Sequence, residues 1–102
     1  MKRVSWPEVK DRLSEFVLVD VRPKWSFAEG SLAGAVNLPL EEIAKGGYEL
    51  KAERPLLVFC NRGQRSAMAG LYLEADGYEV YLLEGGLASL PPEEKKAASM
   101  RL

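Results

Sequence analysis

One stretch of this sequence carries residue types that do chemistry: Cys60-Asn61-Arg62-Gly63-Gln64-Arg65-Ser66. Cys60 is the only cysteine of the chain, and it follows the apolar run Leu56-Leu57-Val58-Phe59. Helical spacing begins at Ser66. A thiol at the carboxyl end of a buried strand, just ahead of a helix start, meets unpaired backbone N–H groups and the positive end of the helix macrodipole. A short loop there can aim several N–H groups at one point, as phosphate cradles do. Gly63 can supply the positive φ that a tight loop needs. Such a cup favours thiolate over thiol, and the thiolate is the nucleophile. Arg62 and Arg65 add positive charge beside it. The plain alternative is a small core residue, since free cysteine is among the most buried residue types. A core cysteine has no need of two neighbouring arginines.

What the chain lacks narrows the chemistry. It has no histidine, so neither a Ser-His-Asp triad, nor a Cys-His pair, nor a histidine-ligated metal can be built within it. One cysteine excludes zinc sites made of clustered thiolates and an internal disulfide. No metal and no cofactor is expected. Fourteen basic residues against fifteen acidic ones give no basic field, so nucleic acid is not an expected partner. The apolar runs are too short for a membrane span, and the amino-terminal residues lack the apolar core of a signal peptide. A reducing, cytoplasmic setting and a monomer are expected.

The elements that must position Cys60 follow from pattern. The 102 residues suffice for one domain with one core, and about 92–102 read as a charged tail or surface helix. Ser5 with Glu8 has the form of a capping box, opening a helix with Trp6 as a packing residue that runs to about Ser14-Glu15. Val4 before it fits a short edge strand. Phe16 to Val19 is a strand buried on both faces, stopped by Asp20-Val21-Arg22-Pro23. Asp20 and Arg22 read as a structural ion pair near the site edge. Lys24 to Glu29 is a short helix with Trp25 and Phe27 as core or pocket wall. Ala35 to Asn37 is a strand, Glu41 to Ala44 a helical turn, and Tyr48 to Arg54 an exposed polar connection. Leu56 to Phe59 is the central strand. Ala67, Met68, Leu71, Tyr72 and Ala75 predict the core face of the next helix, with Gly77 as its C-cap. Tyr78 to Leu83 is the last strand, with Val80 and Leu82 on one face. Leu87 to Leu90 is a short helix stopped by proline. Strands alternating with helices predict an α/β domain with a mostly parallel sheet, and Cys60 then lies at the carboxyl edge where such sheets bind ligands.

Three stretches together resemble the rhodanese-like sulfurtransferases. They are Asp20-Val21-Arg22 running through Trp25, Phe27, Gly30 and Gly34-Ala35-Val36-Asn37-Leu38-Pro39; the loop Cys60 to Ala67; and Leu83-Glu84-Gly85-Gly86. The resemblance covers nearly the whole chain. It implies a central five-stranded parallel sheet flanked by helices, and a persulfide on Cys60. It implies that Cys60 takes a sulfane sulfur from thiosulfate or a similar donor and passes it to a thiol or protein acceptor. Asn61, Arg62, Gly63, Gln64 and Arg65 would cradle the sulfur and donor. Three positions depart from the family pattern: Ser26 where an acidic residue is usual, Ser31 where histidine is common, and Leu90 where an aromatic residue often stands.

Two other readings use the same residues. Cysteine phosphatases and arsenate reductases build a similar thiolate cup, but the phosphatase loop is one residue longer than the four residues separating Cys60 from Arg65. A shorter loop suits one sulfur better than a phosphoryl group. A non-catalytic interaction module is the other reading, since fold alone does not give activity. An intact Cys60 loop argues against it.

Overall fold

Leu56–Phe59 (β4) is apolar at every position and buried at every position, as a strand covered on both faces must be. It is the middle of a five-stranded sheet with β1 (Lys2–Val4), β2 (Val17–Asp20), β3 (Val36–Asn37) and β5 (Val80–Leu83), in the order β1-β5-β4-β2-β3. Every pairing in it is parallel. The computed structural model describes residues 1–98; the remainder of the expected tail, 99–102, lies outside the described residues.

Alternation along the strands sorts the core into two layers. On one face Leu57 and Phe59 pack with Leu18 and Leu83 against α1 (Trp6–Val9), Phe16, Leu32, Leu87 and Leu90. On the other, Leu56, Val58 and Cys60 pack with Val19, Val80 and Leu82 against α3 (Leu40–Lys45) and α4 (Gln64–Ala75). Val80 and Leu82 do share a face, and Trp6 is a packing residue. The remaining helices are α2 (Lys24–Glu29) and α5 (Pro92–Ala98).

Three expectations need correction. The first helix stops at Val9, where the Arg12 N–H closes a turn on the Val9 carbonyl at 2.8 Å, and a separate 3-10 turn follows at Leu13–Glu15. The core face of α4 is Ser66, Ala69, Gly70 and Leu73, whereas Met68, Leu71 and Tyr72 are exposed. The reason is close approach. A Cβ on Gly70 would lie 3.0 Å from Leu82 Cδ2 and 3.3 Å from Val80 Cγ1, so the absence of a side chain at position 70 lets this helix sit on the sheet. Residues 48–54 are no bare connection: Tyr48, Leu50 and Ala52 pack on the second core layer, and the Tyr78 hydroxyl donates to the Leu50 carbonyl at 2.6 Å. Of the two places open to Trp25, core or pocket wall, it takes the second: it is exposed and lines a cleft.

Candidate active site

Cys60 leaves β4 at the carboxyl edge, and α4 begins only four residues later, at Gln64. The intervening loop turns through Gly63, whose φ of 98° lies in the left-handed region that favours glycine. That turn carries the Gly63 N–H back to the thiol, 3.0 Å from Cys60 Sγ. The Ser66 hydroxyl, wholly buried, stands 3.6 Å from the same sulfur and donates to the Gly63 carbonyl at 3.1 Å.

The opposite wall comes from a turn much further along the chain. Residues Gly86–Ser89 form a 3-10 turn under the loop. The Leu87 N–H donates to the Cys60 carbonyl at 2.9 Å, and the Ala88 N–H to the Asn61 carbonyl at 2.8 Å. In a trans peptide the N–H points opposite to the C=O. Holding those two carbonyls down toward the turn therefore fixes the Asn61 and Arg62 N–H groups on the other side. Gly86 is obligatory here: a Cβ would come within 2.5 Å of the Cys60 carbonyl oxygen and 2.6 Å of that of Asn61. The paired glycines are the sequence trace of this wall, although nothing in the sequence pattern says that they press on the Cys60 loop.

The electrostatics of the cup are a contest. Burial pushes the Cys60 thiol up; the Ser66 hydroxyl and the N–H groups of Ser66, Gly63 and Arg62 outweigh it and bring the thiol below its ordinary value. Neither guanidinium is among these causes, so Arg62 acts on the sulfur through its backbone. Ser66 is the participant that sequence reasoning missed. Its place one turn into the helix, six residues after the cysteine, was the available signal.

Outside the cup lies an open cleft of about 520 Å³ that Cys60, Asn61, Arg62, Gln64 and Arg65 line from one side. Arg22, Trp25 and Glu29 line it from the other. Arg65, half exposed, pairs with Glu41 of α3 at 3.1 Å. Arg62 is exposed and makes no ion pair among the described residues.

Asp20 and Arg22, from the end of β2, form a separate and closed arrangement. Arg22 Nη2 donates to Asp20 Oδ2 at 2.7 Å and to the Gly30 carbonyl at 2.6 Å, and Arg22 Nε reaches both Asp20 oxygens. The Ser31 hydroxyl also donates to Asp20 Oδ2, at 2.7 Å. Asp20 is completely buried, and every side of its carboxylate is engaged. Asn37 ties the same strand end by donating to the Asp20 and Arg22 carbonyls at 3.0 and 2.9 Å. The structural partner of Arg22 is therefore Asp20, with Ser26 playing no part in the pair.

Comparison with known proteins agrees with this architecture. The family described as "Rhodanese-like domain" matches residues 5–90. Thiosulfate sulfurtransferase GlpE of Ectopseudomonas mendocina is 34% identical over 98 residues, covering 90% of each chain. The protein of the same name from Coxiella burnetii is 34% identical over 83 residues, covering 80% of this chain and 76% of its own. Among solved structures, the rhodanese homolog of Thermus thermophilus is 45% identical with a TM-score of 0.75, covering 87% of this chain and all of its own. A rhodanese-related protein of Thermoplasma volcanium, at 24% identity, shares the fold over the full length of both chains with a TM-score of 0.85. With the family matched from the Ser5 cap through the Gly86–Ser89 turn, and with relatives above 30% identity along most of their own length, this chain belongs to the rhodanese-like domain family.

Proposed function

We propose that the protein is a sulfurtransferase that carries sulfur as a persulfide on Cys60. The observation that carries this reading is a thiol held below its ordinary pKa by Ser66 and loop N–H groups, in a cleft that Arg62 and Arg65 line on the thiol's side and Arg22 lines opposite. The Cys60 thiolate attacks the outer sulfur of thiosulfate or a similar donor. A new S–S bond forms at Cys60, the S–S bond of thiosulfate breaks, and sulfite leaves with its electron pair. Charge balances, since thiolate plus a dianion becomes an anionic persulfide plus sulfite. No metal or further cofactor is called for in this step.

The residues divide the work. The N–H groups of Gly63, Arg62 and Ser66 stabilise negative charge on sulfur before and after transfer. In the thiol form Cys60 S–H donates toward Ser66, whose own proton goes to Gly63. In the thiolate form that hydroxyl can turn to the sulfur instead, which is why its removal should raise the thiol pKa. Arg62 captures the dianionic donor, while Arg65 is partly neutralised by Glu41. Asn61 and Gln64 line the cleft where the donor's oxygens would lie. Asp20 and Arg22 hold the neighbouring strand end. The acceptor is a thiol, small or protein-borne. We place the protein in the reducing cytoplasm as a monomer, in keeping with its single free cysteine.

The test is a mass spectrum of the intact protein after thiosulfate. The wild type should gain one sulfur atom, removable by cyanide, and Cys60→Ser none. Thiosulfate turnover by Cys60→Ser would end the persulfide reading.

A further inference from the structure

A second cavity of about 190 Å³ adjoins the Cys60 cleft. The two share a wall made of Arg22, Ser26, Glu29 and Asn61. Asn61 is the residue next to the nucleophile, so a ligand that crosses it passes from the cup into this annex. The floor of the annex is Leu32, Leu87 and Leu90. Leu87 is also the residue whose N–H holds the Cys60 carbonyl, so the annex is built on the same turn that shapes the cup.

Two of the polar groups in the annex wall are already committed. The Ser31 hydroxyl is committed to Asp20, and the Arg22 guanidinium to Asp20 and the Gly30 carbonyl. What remains is leucine at the bottom, with Ser26, Glu29, Asn61 and Lys95 around it. An acid and a base among them offer no net pull on an anion. A polar ligand would exchange water for unresponsive groups; an apolar one would gain. An apolar cavity of roughly 150 Å³ holds benzene in a known engineered case, so this space is of ring size. The three residues singled out as departures in the sequence, Ser26, Ser31 and Leu90, all line it.

We infer that the annex binds the apolar body of an organic thiol, R–SH, whose sulfur reaches over Asn61 to take the sulfane sulfur from Cys60. This rests on the sulfurtransferase reading and names its acceptor class. The acceptor thiolate attacks the outer sulfur, forming an R–S–S bond. The bond from Cys60 Sγ to that sulfur breaks, and its electron pair stays on Cys60 as thiolate. Charge balances, because thiolate plus anionic persulfide returns anionic persulfide plus thiolate, and no outside oxidant or reductant enters. The donor step needs only the cup and the arginines, which suit a small dianion. The acceptor meets the outer sulfur one bond further out, at the level where the two cavities join.

The experiment has two arms. With thiosulfate as donor, kcat/KM is measured for the acceptors cyanide, ethanethiol, propanethiol, butanethiol and phenylmethanethiol. Each added methylene should raise kcat/KM about three- to fourfold until the cavity is full, the factor for one buried methylene. Leu90→Phe, which narrows the annex from its floor, and Ser26→Phe, which narrows it from α2, should each flatten that series relative to cyanide. A series that is flat in the wild type, or equally steep in both variants, overturns the proposal. The second arm needs no sulfur transfer. Methyl phenylmethyl sulfide, which lacks a thiol, is titrated into Cys60→Ser while backbone amide resonances are followed. Shifts should concentrate at Ser31, Leu32, Leu87 and Leu90. Such shifts in a protein whose wild type never forms a persulfide would uphold the annex and sink the sulfurtransferase reading. Persulfide transfer with no shift at those residues would do the reverse.

Discussion

Two neighbouring strands of the sheet, β2 and β4, each end in a polar residue at the last strand position or just beyond it, followed within a few residues by arginine. At β2 the residues are Asp20 and Arg22; at β4 they are Cys60 and Arg62. The first pair is bidentate and fully partnered, with Asp20 buried and Arg22 mostly so, and with Ser31 and Gly30 taking up the remaining valences. The second is open: the thiol has a surplus of donors around it, and the Arg62 guanidinium has no ion partner among the described residues. The same edge of one sheet thus holds a closed polar cluster and an unfinished one. Where every charge is answered by the protein, the cluster holds the scaffold. Where donors outnumber acceptors, the sulfurtransferase proposed above would supply the missing acceptor as its substrate.

The sharpest way to break this contrast is to open the closed cluster. Asp20→Asn leaves the mostly buried Arg22 charge without a counter-ion, and should destabilise the protein by up to roughly 3 kcal/mol, the low end for a fully buried pair, read from denaturant midpoints. Asp20→Asn with Arg22→Met removes the orphaned charge and should recover much of that loss. An Asp20→Asn protein of wild-type stability would show that the pair is not the scaffold element described above.

Next in size is an attack on the wall shared by the two regions. Gly86→Ala puts a methyl group against the Cys60 and Asn61 carbonyls and must shift the loop. Thiosulfate kcat/KM should fall by about 100-fold, the order expected for displacing a reacting group by an ångström. Gly77→Ala is the control. It too has a positive φ, 99°, but open space around it, so it should lose about 1 kcal/mol of stability from backbone strain and keep its activity.

The two arginines of the open cluster should separate by a smaller margin. Arg62→Ala should raise the KM for thiosulfate about tenfold with kcat little changed, equivalent to roughly 1.4 kcal/mol of lost uniform binding. Added salt should reproduce part of the effect by screening. Arg65→Ala should cost less, because its exposed pair with Glu41 already screens it and such pairs are worth about 0.2–1 kcal/mol. A fall in kcat alone for Arg62→Ala would remove its capture role.

The subtlest test is the pH dependence of Cys60 alkylation by a neutral reagent. The folded thiol is shifted down, so reactivity should persist below the pH at which a free cysteine loses it, and vanish as pH falls through the folded value. Ser66→Ala should move the midpoint up, toward the ordinary value. Arg62→Ala with Arg65→Ala should leave it in place, because the backbone and Ser66 supply the shift. A midpoint that follows the arginines would overturn that division of labour.

The sequence carried much of this because the relevant signals are local. Four consecutive apolar residues before Cys60 mark a doubly covered strand, and Gly63 marks the turn into α4. What escaped it depends on distance between elements. The face that α4 buries is chosen by how near the helix lies to Val80 and Leu82, and Gly70 looks no different in sequence whether it is packed or exposed. Tyr48 and Leu50 read as loop because their partners, Asp76 and Tyr78, lie far along the chain. The cup itself was half legible: its N–H groups come from adjacent residues, but the hydrogen bonds that orient them come from Leu87 and Ala88.

That last dependence also sets a schedule. Translation delivers Cys60 well before Leu87 and Ala88, so the nascent chain carries its thiol for a time without the turn that aims the loop. On the proposed reading, a thiol able to trap oxidants and stray electrophiles would stay less reactive until the strand that leads to the turn has docked and the fold is closed. Refolding should show the same order: alkylation of Cys60 at its native rate should lag the recovery of helical circular dichroism, and an early burst of fast alkylation would contradict it.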